Sequence, residues 1–192
     1  MNNRVRNLTS TLLSDDWYTL KRWTFEYRDR RGQWGRQERE AYDRGNGATI
    51  ILYNRPRRTI LLTRQFRLPT LLNGNPDGML IEACAGLLDN DDPETCIKKE
   101  IREETGYCIE NVTRIFEQYT SPGSVTEVLH FFIGTYELRD KTGSGGGLPE
   151  EQEDIEVIEV NIERAYAMIQ GGEIRDAKTT LLIYHLLLHQ LR

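Results

Sequence analysis

Three glutamates at helical spacing constrain this chain more than any other feature of its sequence. Glu100, Glu103 and Glu104 occupy positions i, i+3 and i+4, so on a helix their carboxylates share one face. Like charges this close repel each other, and a divalent cation is the best reason for the arrangement. Oxygen ligands suit magnesium or manganese, and magnesium is usually held by a few carboxylates together with substrate phosphates. The spacing therefore predicts chemistry on a phosphorylated small molecule.

The surrounding stretch, residues 86–107, resembles the Nudix box, G-x5-E-x7-R-E-U-x-E-E-x-G-U, in which U is a bulky apolar residue. Gly86 opens the box, and its second half is filled by Glu100, Ile101, Glu103, Glu104, Gly106 and Tyr107. Lys99 stands where the pattern has arginine, the spacing from Gly86 is one residue short, and Asp91 or Asp92 replaces the first glutamate. Because lysine cannot make arginine's two-pronged contact with a carboxylate, these departures bear on how the glutamates are oriented.

Length indicates one domain, or one domain with an N-terminal extension. The chain has 192 residues and a net charge of −5, which argues against a nucleic-acid surface. It has neither an apolar run long enough to span a membrane nor an apolar signal segment at the N-terminus. Cys84, Cys96 and Cys108 form no C-x-x-C pair, which fits reduced thiols. We therefore expect a cytoplasmic protein that binds neither nucleic acid nor membranes.

Hydrophobic periodicity and turn residues predict a mixed sheet between helices. The expected strands cover residues 17–28, 33–43, 48–53, 59–63, 79–83, 112–119, 127–138 and 155–160. Asp92 and Pro93 predict the start of the box helix, and Gly106 predicts its end. Two further helices are expected over 162–170 and 176–189, and residues 68–77 are expected to form a loop. This pattern is typical of an α/β fold, arranged as an α/β/α sandwich.

The first two predicted strands form a charged front hairpin with few apolar side chains. Such a hairpin is expected to complete its core against another subunit. We therefore divide the chain into an N-terminal antiparallel β extension, residues 1–45, and a Nudix domain, residues 46–192. The resemblance to the family implies that the extension is swapped between the subunits of a homodimer.

A glycine-rich segment over residues 141–152 leads into a short acidic run. The glycines predict a loop mobile enough to close over a site, as lids do. The resemblance implies that a glutamate on this loop approaches the metal ions or acts as the catalytic base. Glu151 is our choice, with Glu150 and Glu153 as alternatives, and an ordinary solvated surface is the competing interpretation.

Segments outside the box extend the resemblance to the ADP-ribose pyrophosphatase-like branch of the Nudix hydrolases. They are IEACAGLLDN at 81–90, SPGSVTE at 121–127 and GEIRDAKT at 172–179, and with residues 42–54 they are most similar to the NudK-type GDP-mannose pyrophosphatases. This similarity implies hydrolysis of a nucleotide sugar with Mg²⁺, or Mn²⁺. GDP-mannose would give GMP and mannose 1-phosphate. ADP-ribose as the substrate and a non-catalytic ligand-binding module are the alternatives.

The resemblance also implies a set of site residues. The implied metal ligands are the carbonyl of Ala85 and the carboxylates of Glu100, Glu104 and Glu151, and the implied catalytic carboxylates are Glu103, Glu104 and Glu151. The implied substrate contacts are Arg39, Glu40, Arg67, Ala85, Gly86, Leu87, Glu104, Glu127, Glu150 and Asp176.

Several of these substrate contacts have an ordinary structural interpretation beside the functional one. The guanidinium of Arg67 suits phosphate oxygens, yet a surface salt bridge is the alternative, and Arg64 is a lesser candidate. Asp176 is equally suited to cap the last helix. Glu127 is equally suited to begin a strand. Arg39 and Glu40 are equally suited to lie on a solvated surface.

Overall fold

The computed structural model of the chain describes residues 4–189. Within this range the chain forms two sheets and four α-helices. The strands are β1 (Val5–Asp15), β2 (Thr19–Arg28), β3 (Trp34–Asp43), β4 (Gly47–Asn54), β5 (Thr59–Phe66), β6 (Met79–Glu82), β7 (Ala85–Leu87), β8 (Val112–Tyr119), β9 (Val128–Thr135) and β10 (Glu156–Asn161). The helices are α1 (Leu68–Leu72), α2 (Pro93–Glu100), α3 (Ile162–Gly171) and α4 (Ala177–His189).

Within the described range, the first compact unit contains residues 4–46 together with Tyr119–Val128. Its sheet has the order β1-β2-β3, with both pairings antiparallel, so the predicted front hairpin is part of a three-stranded sheet. β1 was not predicted, because its alternation of side chains is interrupted. Two register irregularities, between Arg6 and Thr9 and between Leu12 and Ser14, shift which side chains face each side.

The segment Tyr119–Val128 joins the first unit through the backbone of Tyr42. The amide of Tyr42 donates to the carbonyl of Ser124 at 2.8 Å, and the amide of Thr126 donates to the carbonyl of Tyr42 at 3.1 Å. The predicted boundary after residue 45 leaves this segment with the Nudix domain. The order of residues along the chain does not reveal that this later segment packs with the N-terminal unit.

The second compact unit, Gly47–Gln118 and residues 129–189, holds a seven-stranded sheet. Its main order is β10-β5-β4-β9-β8, with β6 paired to β5 and β7 paired to β4. β4 runs parallel to β9 and antiparallel to β5, which confirms the predicted mixed sheet.

Two apolar cores lie on opposite faces of this sheet. Alternate residues of β4 enter different cores, as the two-residue period of a strand requires. Ile51 packs in the core that contains side chains of α3 and α4, such as Ile162 and Leu182. Ile50 packs in the core that contains Ile97 of α2. Helices therefore cover both faces, which confirms the α/β/α sandwich.

The helix α1 and the strand β7 are among the short elements that were not predicted. Residues 68–77 were expected to be a loop, but α1 occupies Leu68–Leu72, where Pro69 suits the first helical turn. β7 is three residues long and pairs antiparallel with β4, which brings Gly86 opposite Ala48. Among the described helices, none is long and apolar enough to cross a membrane.

Candidate active site

The box helix begins and ends at the predicted residues. The Asp92 carboxylate accepts hydrogen bonds from the amides of Glu94 and Thr95, at 3.0 and 3.2 Å, and Pro93 occupies the first helical position. Gly106 ends the helix with a φ of +76°, a conformation that glycine adopts without strain. These local signals determine where the box helix begins and ends, and therefore where its glutamates lie.

The last turn of the box helix is π-helical, over Ile101–Thr105. The hydroxyl of Thr105 donates to the carbonyl of Ile101 within this turn. Two of the three box glutamates lie on it, and π turns inside helices are frequent at functional sites. The sequence predicted the three carboxylates on one helical face but did not predict this wider turn.

Glu100 lies directly against Gly86. A Cβ atom at Gly86 would come within 2.1 Å of the Glu100 carboxylate, so only glycine leaves room for this side chain. The first box glycine and the first helix glutamate therefore meet despite the shortened spacing. Burial, together with the negative charges of Glu103 and Glu153, raises the pKa of Glu100 to about 7.

Glu104 is the most deeply buried carboxylate of the box. It is 1% exposed, and its Oε2 atom has no hydrogen-bond partner among the described residues. Burial raises the pKa of Glu104 to about 8, a hydrogen bond from the Cys84 thiol opposes the shift, and the charge of Glu100 adds to it. The positive charge of Arg67 also acts on Glu104, in the opposite direction. Arg67 therefore lies close enough to the box to influence it.

These carboxylates fit a divalent cation. A buried, unpartnered carboxylate oxygen is costly, and two acidic groups whose pKa values are both raised need either protons or a cation nearby. Within residues 4–189, no three His, Cys, Asp or Glu side chains form a ready-made metal cluster. The predicted set of metal ligands, which includes the main-chain carbonyl of Ala85, stays a prediction.

Glu103 faces Lys99, the lysine that replaces the arginine of the family pattern. The Lys99 ammonium lies 3.8 Å from a Glu103 carboxylate oxygen. The pKa of Lys99 is raised chiefly by the charge of Glu103, so the lysine stays charged beside the box. A single long contact replaces the two-pronged contact that arginine would provide.

The glycines after the box are docked onto the π turn. We name residues 143–147 the glycine strap. The amides of Gly146 and Gly147 donate to the carbonyls of Glu104 and Glu103, at 2.9 and 3.1 Å. A Cβ atom at Gly145 would lie 2.5 Å from the Glu104 carbonyl oxygen. The glycines therefore allow close backbone packing here, and the mobility of the whole loop stays a prediction.

The acidic run follows the strap. Glu151 ends a short 3₁₀ turn, is exposed, and lies near enough to the box for its charge to raise the pKa of Glu100. Glu153 raises the pKa values of both Glu100 and Glu104, and its Oε2 atom accepts the amide of Leu148 at 3.0 Å. The structure thus places both glutamates beside the box, and it leaves their roles as predictions. Glu150 is exposed on the same turn.

A second group of charges begins at Arg67. Its Nε atom donates to Glu82 Oε2 at 2.9 Å, and Glu82 Oε1 accepts Lys178 Nζ at 2.8 Å. Asp176 caps α4 by accepting the amide of Thr179 at 2.9 Å, which confirms its capping role, and it also contacts Lys178 at 3.1 Å.

Glu82 and Lys178 were missed in the sequence, although both lie in segments that support the family resemblance. Their pairing across 96 positions carries no local signal. Arg64, the lesser candidate, pairs with Asp77 and Glu156 at the surface, both at 3.3 Å.

The remaining candidates lie elsewhere. Arg39, Glu40 and Glu127 belong to the first unit. The Arg39 guanidinium donates to the carbonyl of Glu38 and to Gln37. Glu40 lies 3.9 Å from Arg22, and Glu127 lies 3.4 Å from Arg44. In the second unit, Leu87 accepts a hydrogen bond from the thiol of Cys96. Substrate contact by these residues stays a prediction.

Comparison with known proteins agrees with these features. The profile of the GDP-mannose pyrophosphatase NudK N-terminal domain matches residues 4–42, and the NUDIX domain profile matches residues 43–181. A GDP-mannose pyrophosphatase of Yersinia enterocolitica is 51% identical over 191 residues, covering 100% of this chain and 99% of its own length. Its counterparts in Salmonella arizonae and Citrobacter koseri are 53% and 51% identical, covering 97% of this chain and 96% of their own lengths.

The two profiles together span nearly the whole chain, and the relatives match it from end to end. The box residues, the docked glycine strap and the seven-stranded sheet lie in the part that the second profile matches. The chain therefore belongs to the NUDIX family of hydrolases, in the group that carries the NudK N-terminal domain.

Proposed function

We propose that this chain hydrolyses the pyrophosphate bond of a nucleotide sugar, with GDP-mannose as the substrate and GMP and mannose 1-phosphate as products. The observation that carries the proposal is the pair of carboxylates formed by the buried Glu104 and the half-buried Glu100, with Arg67 close by. This arrangement suits a cation and a diphosphate. The names of the near-full-length relatives support the choice of GDP-mannose.

Nudix hydrolysis uses a divalent cation, and we assign Mg²⁺, with Mn²⁺ as the alternative. Glu100 and Glu104 would hold it, with the Ala85 carbonyl and Glu151 as further ligands, because hard cations prefer oxygen donors. The bound cation would polarise the phosphoryl oxygens and lower the pKa of a coordinated water.

The protein's own groups then position and orient the reacting atoms. Arg67 binds the diphosphate through its guanidinium, because charge-assisted contacts to phosphate oxygens are strong and directional. Glu151 takes the proton of the attacking water, since Glu153 already accepts a backbone amide through one carboxylate oxygen. Glu103 and Glu104 complete the carboxylate face around the diphosphate. Displacement at phosphorus depends mainly on such positioning and electrostatic stabilisation.

Further substrate contacts are proposed on both units. Gly86 and Leu87 approach the substrate through their backbone, and Glu150 and Asp176 contact it from the second unit. Arg39, Glu40 and Glu127 would bind the nucleotide from the first unit of a swapped homodimer. Exposed leucines on β1, Leu8 and Leu12 among them, support a partner surface there. We place the homodimer in the cytoplasm, with no nucleic-acid partner.

The test is hydrolysis of GDP-mannose and ADP-ribose by the pure protein, with Mg²⁺, with Mn²⁺ and with EDTA, and with products resolved by chromatography. We expect metal-dependent release of GMP and mannose 1-phosphate from GDP-mannose, faster than release of AMP from ADP-ribose. Faster turnover of ADP-ribose would keep the reaction and change the substrate. Turnover of neither compound would overturn the proposal in favour of a non-catalytic binding module.

A further inference from the structure

The three-stranded sheet of the first unit carries a cavity with arginines around it, at the turn between β2 and β3. We name it the arginine cavity. Its volume is about 250 Å³, and it is lined by Arg4, Arg28, Asp29, Arg30 and Gly32. Three guanidinium groups and one carboxylate therefore share a small space, in a chain whose net charge is −5. Such a local excess of positive charge attracts anions.

The pairing of the strands brings two of these arginines together. The amide of Arg28 on β2 donates to the carbonyl of Arg4 at 2.8 Å, so the two residues lie across from each other. On its other side Arg28 pairs with Trp34 of β3, which is 36% exposed. Residues that oppose each other in antiparallel strands project their side chains from the same face. The register of the sheet therefore places Arg4, Arg28 and Trp34 in one row.

The turn beside this row orients the guanidinium of Arg28. Gly32 has a φ of +82°, and its carbonyl accepts the Nε atom of Arg28 at 3.3 Å. The Asp29 carboxylate accepts the amides of Arg31 and Gln33, each at 2.8 Å and both through Oδ1. Within residues 4–189, the terminal nitrogens of Arg28 make no hydrogen bond to the protein. Arg28 is thus held at one nitrogen, with its remaining donors available to a ligand.

The arginines of the cavity differ from the other arginines of the same sheet in their ion pairs. Arg6 contacts Glu26 at 2.7 Å, and Arg36 contacts a glutamate at 2.9 Å. Among the described residues, neither Arg28 nor Arg30 forms an ion pair with a carboxylate. Unpaired guanidinium groups in one cavity repel each other, and a bound anion relieves that repulsion.

The chemistry and size of the cavity favour a phosphate group. The planar guanidinium binds two phosphate oxygens at once, which makes arginine well suited to this ligand. Sites that enclose a whole drug-sized ligand have volumes of roughly 300–1,000 Å³. The arginine cavity, at about 250 Å³, is smaller and fits phosphate groups alone. Two linked phosphates carry enough charge to balance the arginines that line it.

We propose that the arginine cavity is an anion-binding site for the diphosphate group of a small molecule. Inorganic pyrophosphate and the diphosphate of a nucleotide present the same oxygens to the arginines. The inference does not depend on the proposed function, because no residue of the cavity is among the proposed substrate contacts. Arg39, the proposed nucleotide contact on β3, lies five residues from Trp34 and so faces the opposite side of the sheet.

Isothermal titration with pyrophosphate in EDTA tests this inference in an Arg67→Met background, which removes the proposed diphosphate contact near the box. We expect binding in this background. Adding Arg28→Met and Arg30→Met should weaken it at least about tenfold, because charge-assisted hydrogen bonds are lost. No binding by Arg67→Met, or an affinity that the added changes leave unaltered, would overturn the inference.

Two further variants separate the shape of the guanidinium from its charge. Arg28→Lys keeps the charge and removes the two-pronged contact, so it should weaken binding less than Arg28→Met does. The control is Arg164→Met, which removes an exposed arginine that pairs with Glu173 in the second unit. This control should bind pyrophosphate as its parent does. An equal loss in the control would show a general effect of net charge and would overturn the inference.

GDP in place of pyrophosphate distinguishes the two sources of the diphosphate. Equal affinities, both lowered by the arginine changes, would identify the diphosphate group itself as the ligand. Tighter binding of GDP that Trp34→Leu removes would identify a nucleotide whose base stacks on Trp34. Both results support the anion site. Sulfate binding as tight as that of pyrophosphate would overturn the choice of a diphosphate. A loss of self-association in light scattering, with unchanged affinity, would assign these arginines to a subunit contact instead.

Discussion

Glu104 is the residue at which burial and charge are most directly opposed. It is 1% exposed, one of its carboxylate oxygens lacks a partner among the described residues, and its pKa is raised to about 8. A structural role would favour a neutral side chain here, since an unpaired buried carboxylate destabilises the fold. A cation shared with Glu100, as proposed, would remove the repulsion and supply the missing partner. The unfavourable environment of Glu104 is thus a consequence of the proposed site.

Replacing Glu104 with glutamine should remove most activity while the fold survives. Glutamine keeps the size of the side chain and removes the metal-binding charge, so we expect kcat to fall by at least about a hundredfold. Steady-state hydrolysis of GDP-mannose measures this, with circular dichroism as the check on folding. The control is Glu110→Gln, at an exposed glutamate just past the box helix. Turnover within about twofold of the wild type would remove Glu104 from the site.

The raised pKa values of Glu100 and Glu104 predict a pH-dependent stability without metal. Their folded values of about 7 and about 8 lie above the usual 4.5, so the folded state holds protons that the unfolded state has released. Their contribution to stability is complete below pH 4.5 and is lost as the pH rises through about 7 to 8. In EDTA, the melting temperature should therefore fall as the pH rises from 4.5 to about 8.

Magnesium should reverse that fall, because the cation replaces the protons between the two carboxylates. Thermal unfolding with and without Mg²⁺ should show a larger rise in melting temperature at about pH 8 than at about pH 6. Glu104→Gln should flatten the pH dependence in EDTA. An equal effect of Mg²⁺ at both pH values would contradict the linkage of these two groups to the metal.

Single residues show what the sequence could and could not predict. Glu100, Glu103 and Glu104 were found because three carboxylates on one helical face form a local pattern, and Gly86 was found by its distance from them. Glu82 and Lys178 were not, since their partnership joins a strand end to a helix start 96 positions away. Long-range ion pairs leave no trace in spacing, whereas helix faces do.

The box helix and the glycine strap are joined by backbone hydrogen bonds beside the site. The π turn leaves the carbonyls of Glu103 and Glu104 open, and the amides of Gly147 and Gly146 satisfy them. Gly145 has a φ of +69° and approaches the same backbone too closely for a Cβ atom. The strap therefore fixes the carboxylates that bind the metal in the proposed mechanism.

Gly145→Ala should damage the site through the backbone alone. The new methyl group would clash with the Glu104 carbonyl, and alanine at positive φ costs about 1–2 kcal/mol by itself. We expect at least about 2 kcal/mol of destabilisation and a clear loss of activity, measured by denaturant unfolding and by turnover. The control is Gly143→Ala on the same strap, where a Cβ atom would meet only an ordinary contact at 3.9 Å. Equal behaviour of the two variants would contradict a positioning role for the strap.

Elements with strong end signals were predictable, and elements defined by a distant partner were not. Asp92, Pro93 and Gly106 fixed the box helix, because caps act within a few residues. β1 was missed because its register irregularities disturb the alternation on which strand prediction depends. The strap was interpreted as mobile because a run of glycines indicates flexibility equally well as close packing.

The two compact units differ in how completely they bury their apolar side chains. The second unit has two cores, on either face of its sheet. The first unit leaves Leu8, Leu12 and Trp17 more than half exposed, at 56%, 54% and 76%. Its β1 strand is also a sheet edge with 11 residues, and long apolar edges are usually paired or covered. A second copy of the chain, as the family resemblance implied, is the proposed cover.

Leu12→Glu should therefore weaken self-association. Leu12 is 54% exposed on the edge strand β1, so the change adds a charge to the proposed dimer surface without disturbing a core. Light scattering coupled to size exclusion should show a dimer for the wild type and a shift toward monomer for this variant. Thr11→Glu places the same charge on the opposite face of the strand, and it should remain dimeric. A Leu12→Glu variant as dimeric as the wild type would exclude this face, and a monomeric wild type would exclude the dimer. The second outcome would leave Arg39 and Glu40 without a partner site to complete, so their proposed nucleotide contacts depend on this measurement.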